Sequence, residues 1–168
     1  MDLLKKILGH RDSTKIKTDQ MIYSPLIGKV VALSEVNDPV FSQEMMGKGV
    51  AVVPSVGRVV APCDGKIINV FRTRHAVLIK ADNGAEIIIH VGLETVALNG
   101  KHYQSHVEDE MQVKKGDLLL TFDLDEIKQL GYDLITPIIV SNSADYQSVE
   151  STKKNEVKHG DVLINLVK

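Results

Sequence analysis

Tryptophan is absent from this chain of 168 residues, aromatic residues make up only 4%, and the single cysteine is Cys63. So few aromatic rings leave no platform on which nucleic-acid bases could stack. One thiol cannot close an internal disulfide, and with no exporting segment the natural setting is a reducing cytoplasm. Charge is nearly balanced, at −2, so there is no overall basic field to hold nucleic acid. No apolar run reaches the length of a membrane span. There is also no G-x-x-x-x-G-K-[ST] loop, so a nucleotide donor has no evident cradle for its phosphates.

What is present suffices for one domain. Hydrophobic residues make up 43% of the chain, enough at this length for a sizeable core. Residues 1–20 differ in character. Leu3, Leu4, Ile7 and Leu8 share a helical face, while Lys5, Lys6, Arg11, Lys15 and Lys17 make the stretch basic. A flexible basic tail is the expectation, with an amphipathic helix that visits anionic lipid as the sharper alternative.

From there residues 21–168 read as one domain of strands punctuated by glycine and proline. S-P-L-I-G-K-V-V (Ser24 to Val31) is echoed by A-P-C-D-G-K-I-I (Ala61 to Ile68), and V-K-K-G-D-L-L (Val113 to Leu119) by V-K-H-G-D-V-L (Val157 to Leu163). Each pair repeats a turn followed by a buried apolar strand, which predicts duplicated units packed as an all-β, antiparallel sandwich. One short helix is expected from Asp125 to Leu130, capped by Asp123 or Asp125 and stopped by Gly131. Asp145 to Asn155 reads equally as a short helix or a polar loop.

The chemistry concentrates in G-A-E-I-I-I-H-V-G-L-E-T-V, Gly84 to Val96. Three isoleucines favour a strand ending at His90. His75 to Lys80 reads as its partner, joined through the turn signal Asp82-Asn83-Gly84. A two-residue loop at Asn83-Gly84 would set Val77 opposite His90 and Gly92 opposite His75, placing Thr73, His75 and Val77 on the face of His90. A three-residue loop or a bulge would reverse that parity. A lone histidine in such a strand is more often a satisfied core residue. Two imidazoles and a hydroxyl on an otherwise apolar surface point instead to phosphate chemistry or a metal.

These residues carry a resemblance. G-x-x-I-I-I-H-V-G-L-x-T-V, preceded by F-R-T-R-H-A (Phe71 to Ala76), is similar to the signature of the glucose-type enzyme IIA components of the bacterial phosphoenolpyruvate:sugar phosphotransferase system. G-V-A-V-V-P-S (Gly49 to Ser55), V-V-A-P-C-D-G (Val59 to Gly65) and T-P-I-I-V-S-N (Thr136 to Asn142) extend the match over nearly all of the chain from Tyr23.

The resemblance implies a barrel-like sandwich with a duplicated hybrid motif. It implies His90 as phosphoacceptor, His75 as second active-site histidine, and Thr73 as a hydroxyl bonded to His75. The phosphoryl group would arrive from the carrier HPr and leave to a cysteine of a sugar-specific IIB domain, with backbone N–H groups near Val91 and Gly92 sharing its charge. Val40, Phe41, Met46, Phe71, Leu78, Ile88 and Val96 would form an apolar docking patch, with Asp38 and Glu94 at its edge complementing arginines on the partners. The family commonly has aspartate at the position of Glu94 and phenylalanine at those of Leu78 and Ile88. No cofactor is obligatory. His75 and His90 would hold Zn²⁺ only if a partner supplied a carboxylate. Regulatory contacts with transporters or metabolic enzymes are also implied. A start at methionine and an end soon after the last expected strand give the expectation of a free-standing IIA protein rather than a piece of a fused permease.

Two other readings compete. A biotinyl or lipoyl carrier arm needs a modified lysine on a hairpin, and Met45-Met46-Gly47-Lys48 has the wrong spacing. A sandwich-fold zinc site or zinc endopeptidase of the lysostaphin type needs His-x-His, which is lacking; His102 and His106, four apart, read as a surface pair.

Overall fold

The computed structural model describes residues 20–168, so the expectations for the basic N-terminal segment lie outside the described residues. The strands are β1 (Met21–Tyr23), β2 (Gly28–Ala32), β3 (Lys48–Pro54), β4 (Arg58–Val60), β5 (Gly65–Val70), β6 (Ala76–Ala81), β7 (Glu86–His90), β8 (Tyr103–Ser105), β9 (Gln112–Val113), β10 (Leu118–Phe122), β11 (Thr136–Val140), β12 (Ser148–Ser151), β13 (Glu156–Val157) and β14 (Val162–Val167). Eight of them form one sheet in the order β13-β2-β3-β11-β7-β6-β5-β9, and two three-stranded sheets run β1-β14-β12 and β4-β10-β8. Every ladder is antiparallel.

The sequence echoes become structural equivalence. Val157 pairs with Gly28 as Val113 pairs with Gly65. Lys158 N–H donates to the Asp161 carboxylate at 2.9 Å, and Lys114 N–H to that of Asp117 at 2.8 Å. Gly160 and Gly116 follow with φ of +85° and +93°, which is why both turns carry glycine there. The halves are nested: β4 to β10 form an inner unit, bracketed by β1 to β3 and β11 to β14. The β7–β11 ladder joins them across the large sheet, and Tyr23 N–H to Pro62 O and Val60 N–H to Pro25 O, both 2.9 Å, join them symmetrically elsewhere.

Period-two alternation sorts the large sheet into two faces. Val50, Val52, Val77, Ile79, Ile87, Ile89, Ile138 and Val140 point into the main core. Ala51, Ile88 and Ile139 point the other way, into a smaller cluster closed by Leu33, Val36 and Phe41. Full burial of an isoleucine is worth about 1.5–3 kcal/mol, so this alternation fixes the register.

Local readings meet mixed outcomes. The expected helix forms at Leu124–Gln129, with the Asp123 carboxylate accepting from Glu126 N–H at 3.1 Å and Gly131 at φ +90° beyond it. Within Asp145 to Asn155 the structure places strand β12, because Ser148–Ser151 add an edge to β14. A four-residue helix, Pro39–Ser42, was not anticipated although its signal is plain: Asp38 accepts from Val40 N–H and proline occupies the first turn. No helix among the described residues is long and apolar enough to cross a membrane.

Candidate active site at the end of β7

The hairpin that carries the histidines is one residue out of the expected register. Ala76, not Val77, stands opposite His90, and Leu78 opposes Ile88. The loop holds three residues: Gly84 N–H donates to Ala81 O at 2.9 Å, Ala81 N–H to Ala85 O at 2.8 Å, and Gly84 takes φ +95°. Val77 therefore lies in the main core on the face away from His90.

His75 still reaches His90, because it lies outside the ladder. Before β6 the chain turns through Phe71 to Arg74, with Arg74 N–H donating to Phe71 O at 2.7 Å and Arg74 at φ +56°. Period-two alternation ends there. The rings of His75 and His90 meet edge-on, with centroids 4.7 Å apart and planes at 82°. Phe41 flanks His90 at 5.1 Å and Phe71 flanks His75 at 5.8 Å, so four rings form a row.

Each imidazole is tied at Nδ1. His90 Nδ1 lies 2.8 Å from Gly92 O. A carbonyl only accepts, so this nitrogen carries the proton, and Nε2 of the neutral ring keeps its lone pair. His75 Nδ1 lies 2.6 Å from Thr73 Oγ1. Both Nε2 atoms are thus left for a third group. Burial lowers the pKa of His75 to about 4; the neighbouring His90 acts in the same direction and a backbone hydrogen bond to Thr73 opposes both. Burial also lowers His90, against the Gly92 carbonyl and the Asp38 carboxylate. With both values lowered, both rings are uncharged near neutral pH.

The backbone beyond His90 is clamped. Val91 N–H donates to His75 O at 2.7 Å, while Val91 O accepts from Thr95 Oγ1 at 2.8 Å and from the Tyr103 hydroxyl at 3.0 Å. The Val91 amide is therefore committed within the fold and is not available to a phosphoryl group. Gly92 does not open space opposite His75. Its φ is +89°, and a Cβ there would lie 2.5 Å from Thr95 Cγ2, so glycine is required by backbone conformation and close packing.

The expected rim divides. Val40 and Val96 are exposed, while Met46, Phe71 and Leu78 are half-buried. Phe41 and Ile88 are only 3% and 8% exposed and belong to the smaller core cluster, so they support the surface from below. Asp38 and Glu94 line a cleft of about 430 Å³ beside Leu93, together with Leu130, Tyr132 and Asp133. Leu130 and Asp133 had not been singled out, because their neighbourhood is created by tertiary packing. His102 and His106 are a surface pair, His106 Nε2 meeting Thr121 Oγ1 at 2.9 Å. Among the described residues no group of three or more histidine, cysteine, aspartate and glutamate side chains could hold a metal ion. His75 and His90 offer two nitrogen donors and no third protein ligand.

Comparison with known proteins gives a consistent result. Residues 20–146 match the family model of the phosphoenolpyruvate-dependent sugar phosphotransferase system, EIIA 1. The chain is 46% identical over 140 residues to a PTS system glucose-specific EIIA component of Oceanobacillus iheyensis, covering 83% of this chain and 85% of that one. It is 45% identical over 147 residues to a PTS system beta-glucoside-specific EIIBCA component of Bacillus subtilis, covering 88% of this chain but only 24% of the longer relative. The solved glucose permease IIA of Mycoplasma capricolum superposes with a TM-score of 0.78 at 36% identity, over 86% of this chain and 93% of that one. None of these supports the zinc-peptidase alternative. The paired histidines thus lie in a fold shared with phosphotransferase components, and the chain belongs to the EIIA type 1 family of the phosphoenolpyruvate-dependent sugar phosphotransferase system.

Proposed function

We propose that the chain accepts a phosphoryl group on Nε2 of His90 from the phosphohistidine of HPr and passes it to a cysteine thiolate of a sugar-specific IIB domain. The observation that carries this reading is the tethering at Nδ1 of two rings whose centroids lie 4.7 Å apart, which leaves both Nε2 atoms for a third group. Fusion of EIIA with B and C components in one relative agrees with a IIB partner.

In the forward step the His90 Nε2 lone pair attacks phosphorus in line, and the donor's N–P bond breaks with its electron pair returning to the donor imidazole. The proton stays on Nδ1, hydrogen-bonded to Gly92 O, so the ring becomes cationic as the new N–P bond forms and no proton need leave. Thr73 donates to His75 Nδ1, which makes His75 Nε2 an N–H donor to a phosphoryl oxygen. In the second step the thiolate attacks phosphorus and His90 Nε2 recovers its pair. His75 acts by stabilising charge, so its loss slows transfer more than it prevents acceptance. Zinc would bind His75 and His90 only with a carboxylate brought by a partner. The unphosphorylated apolar rim is also the surface by which transporters or metabolic enzymes would be regulated, since phosphorylation puts about −2 charges beside it.

The test is transfer of labelled phosphate from phosphoenolpyruvate through enzyme I and HPr to wild type, His75→Gln and His90→Gln. Label on the first two and none on folded His90→Gln is expected. An unlabelled wild type would overturn the reading.

A further inference from the structure

The buried Gly92 carries an amide N–H that finds no acceptor among the described residues, although both neighbouring amides are engaged. Val91 N–H donates to His75 O at 2.7 Å and Leu93 N–H to Asp133 O at 2.8 Å. Buried amides are almost always paired, so an open donor two residues beyond His90 marks a place for an anionic oxygen. The direction of this N–H is set from inside the core. It shares a trans peptide with Val91 O, and in a planar trans peptide the two point opposite ways. Val91 O accepts twice, from Thr95 Oγ1 at 2.8 Å and from the Tyr103 hydroxyl at 3.0 Å, and both side chains are buried. Thr95 alone would give this carbonyl a partner. The second hydroxyl, carried into the main core from β8, is a further constraint on the same peptide. Burial pushes Tyr103 up to about 12, the Thr95 hydroxyl opposing, so it stays protonated and donating.

Resting on the proposed phosphoryl relay, we propose that Tyr103 is a positioning residue for it: with Thr95 it holds the Val91 carbonyl inward and so turns the Gly92 N–H outward, as a donor to a phosphoryl oxygen on His90. Hydrogen bonds accepted by a carbonyl polarise the N–H of the same peptide, so two hydroxyls on Val91 O also strengthen this donor. The next peptide is fixed in the same manner, Leu93 N–H on Asp133 O and Gly92 O on His90 Nδ1. Gly92 thus serves the site at both ends, its carbonyl setting the ring and its amide meeting the charge that the ring acquires. A donor fixed before the charge arrives needs no reorganisation when it does. Tyr103 touches none of the reacting atoms and acts only through the Val91 peptide.

The experiment is rapid-quench transfer from phosphorylated HPr to full-length wild type, Tyr103→Phe and Tyr146→Phe, with the Gly92 amide followed by nitrogen-15 NMR before and after phosphorylation. Tyr146 is a second buried tyrosine, between β11 and β12 in the outer half, and controls for loss of a hydroxyl. Expected for Tyr103→Phe is a fall of about tenfold in the rate at saturating donor. The half-saturating donor concentration should stay at the wild-type value, because a buried ring takes no part in docking. Phosphorylation of wild type should move the Gly92 amide proton downfield, and Tyr103→Phe should reduce that displacement. Thr95→Val, which removes the other hydroxyl and keeps the side chain's shape, should give the same pattern. A Gly92 proton that does not move downfield in phosphorylated wild type would overturn the proposal. So would a Tyr103→Phe rate equal to wild type, or an equal loss in Tyr146→Phe. Thermal melts set the temperature at which every variant is folded. Absence of label on wild type is the separate failure of the relay itself.

Discussion

His90 Nδ1 stands 2.8 Å from the carbonyl oxygen of Gly92, two residues along the same chain. This short link settles the tautomer locally, because an oxygen without a hydrogen dictates where the ring proton resides. Nitrogen-15 NMR of the folded protein at pH 7 should show His90 neutral, protonated at Nδ1 and bare at Nε2, titrating below the ordinary histidine range. A neutral His90 protonated at Nε2 would contradict the assignment.

Stability should fall on mild acidification. His75 titrates near 4 when folded and near 6.5 when unfolded, so between those values the unfolded chain binds the proton and the native one does not. His75 contributes its full share above pH 6.5 and loses it as pH falls toward 4, by roughly 3 kcal/mol. Urea unfolding from pH 7.5 to 4 should show this slope, reduced in His75→Gln. Equal slopes in both proteins would remove His75 as the cause.

Gly92→Ala combines a left-handed φ with a Cβ pressed against Thr95 Cγ2. Destabilisation on the order of 2–4 kcal/mol is expected in urea unfolding, together with slower phosphoryl acceptance, since Gly92 O is displaced from His90. A variant of wild-type stability would show that the loop yields freely.

Thr73→Val keeps the shape of the side chain and removes the hydroxyl bonded to His75. Transfer should slow by about 10- to 100-fold while His90 still becomes labelled at long times, and His75 should show mixed tautomers by nitrogen-15 NMR. An unchanged rate with unchanged tautomer would assign the orientation of His75 to its packing against Phe71 and His90 alone.

Much of this was legible in the chain because turn chemistry is local. Lys114-to-Asp117 and Lys158-to-Asp161 advertise the same glycine turn, and the β-branched run ending at His90 announces its strand. The register of the hairpin was not legible, since Asp82-Asn83-Gly84 suits a two- or a three-residue loop and only the packing of Val77 and Ile79 into the core decides. His75 reaches the site for a reason that alternation does not contain: Arg74 adopts a left-handed conformation without being glycine. Ile88 and Phe41 look like surface anchors until Leu33 and Val36 are seen to cover the second face of the sheet.

The nested halves also bear on how the chain can acquire its structure. Every strand partner of the inner half lies between Arg58 and Phe122, apart from the seam at β11, whereas Met21 must wait for Asn165. Non-local pairing is slow because chain closure precedes its reward. On a ribosome the segment bearing both histidines can therefore close its own ladders, and β2 can pair with β3, before β11 to β14 have emerged, whereas β1 has no ladder to join until β14 appears.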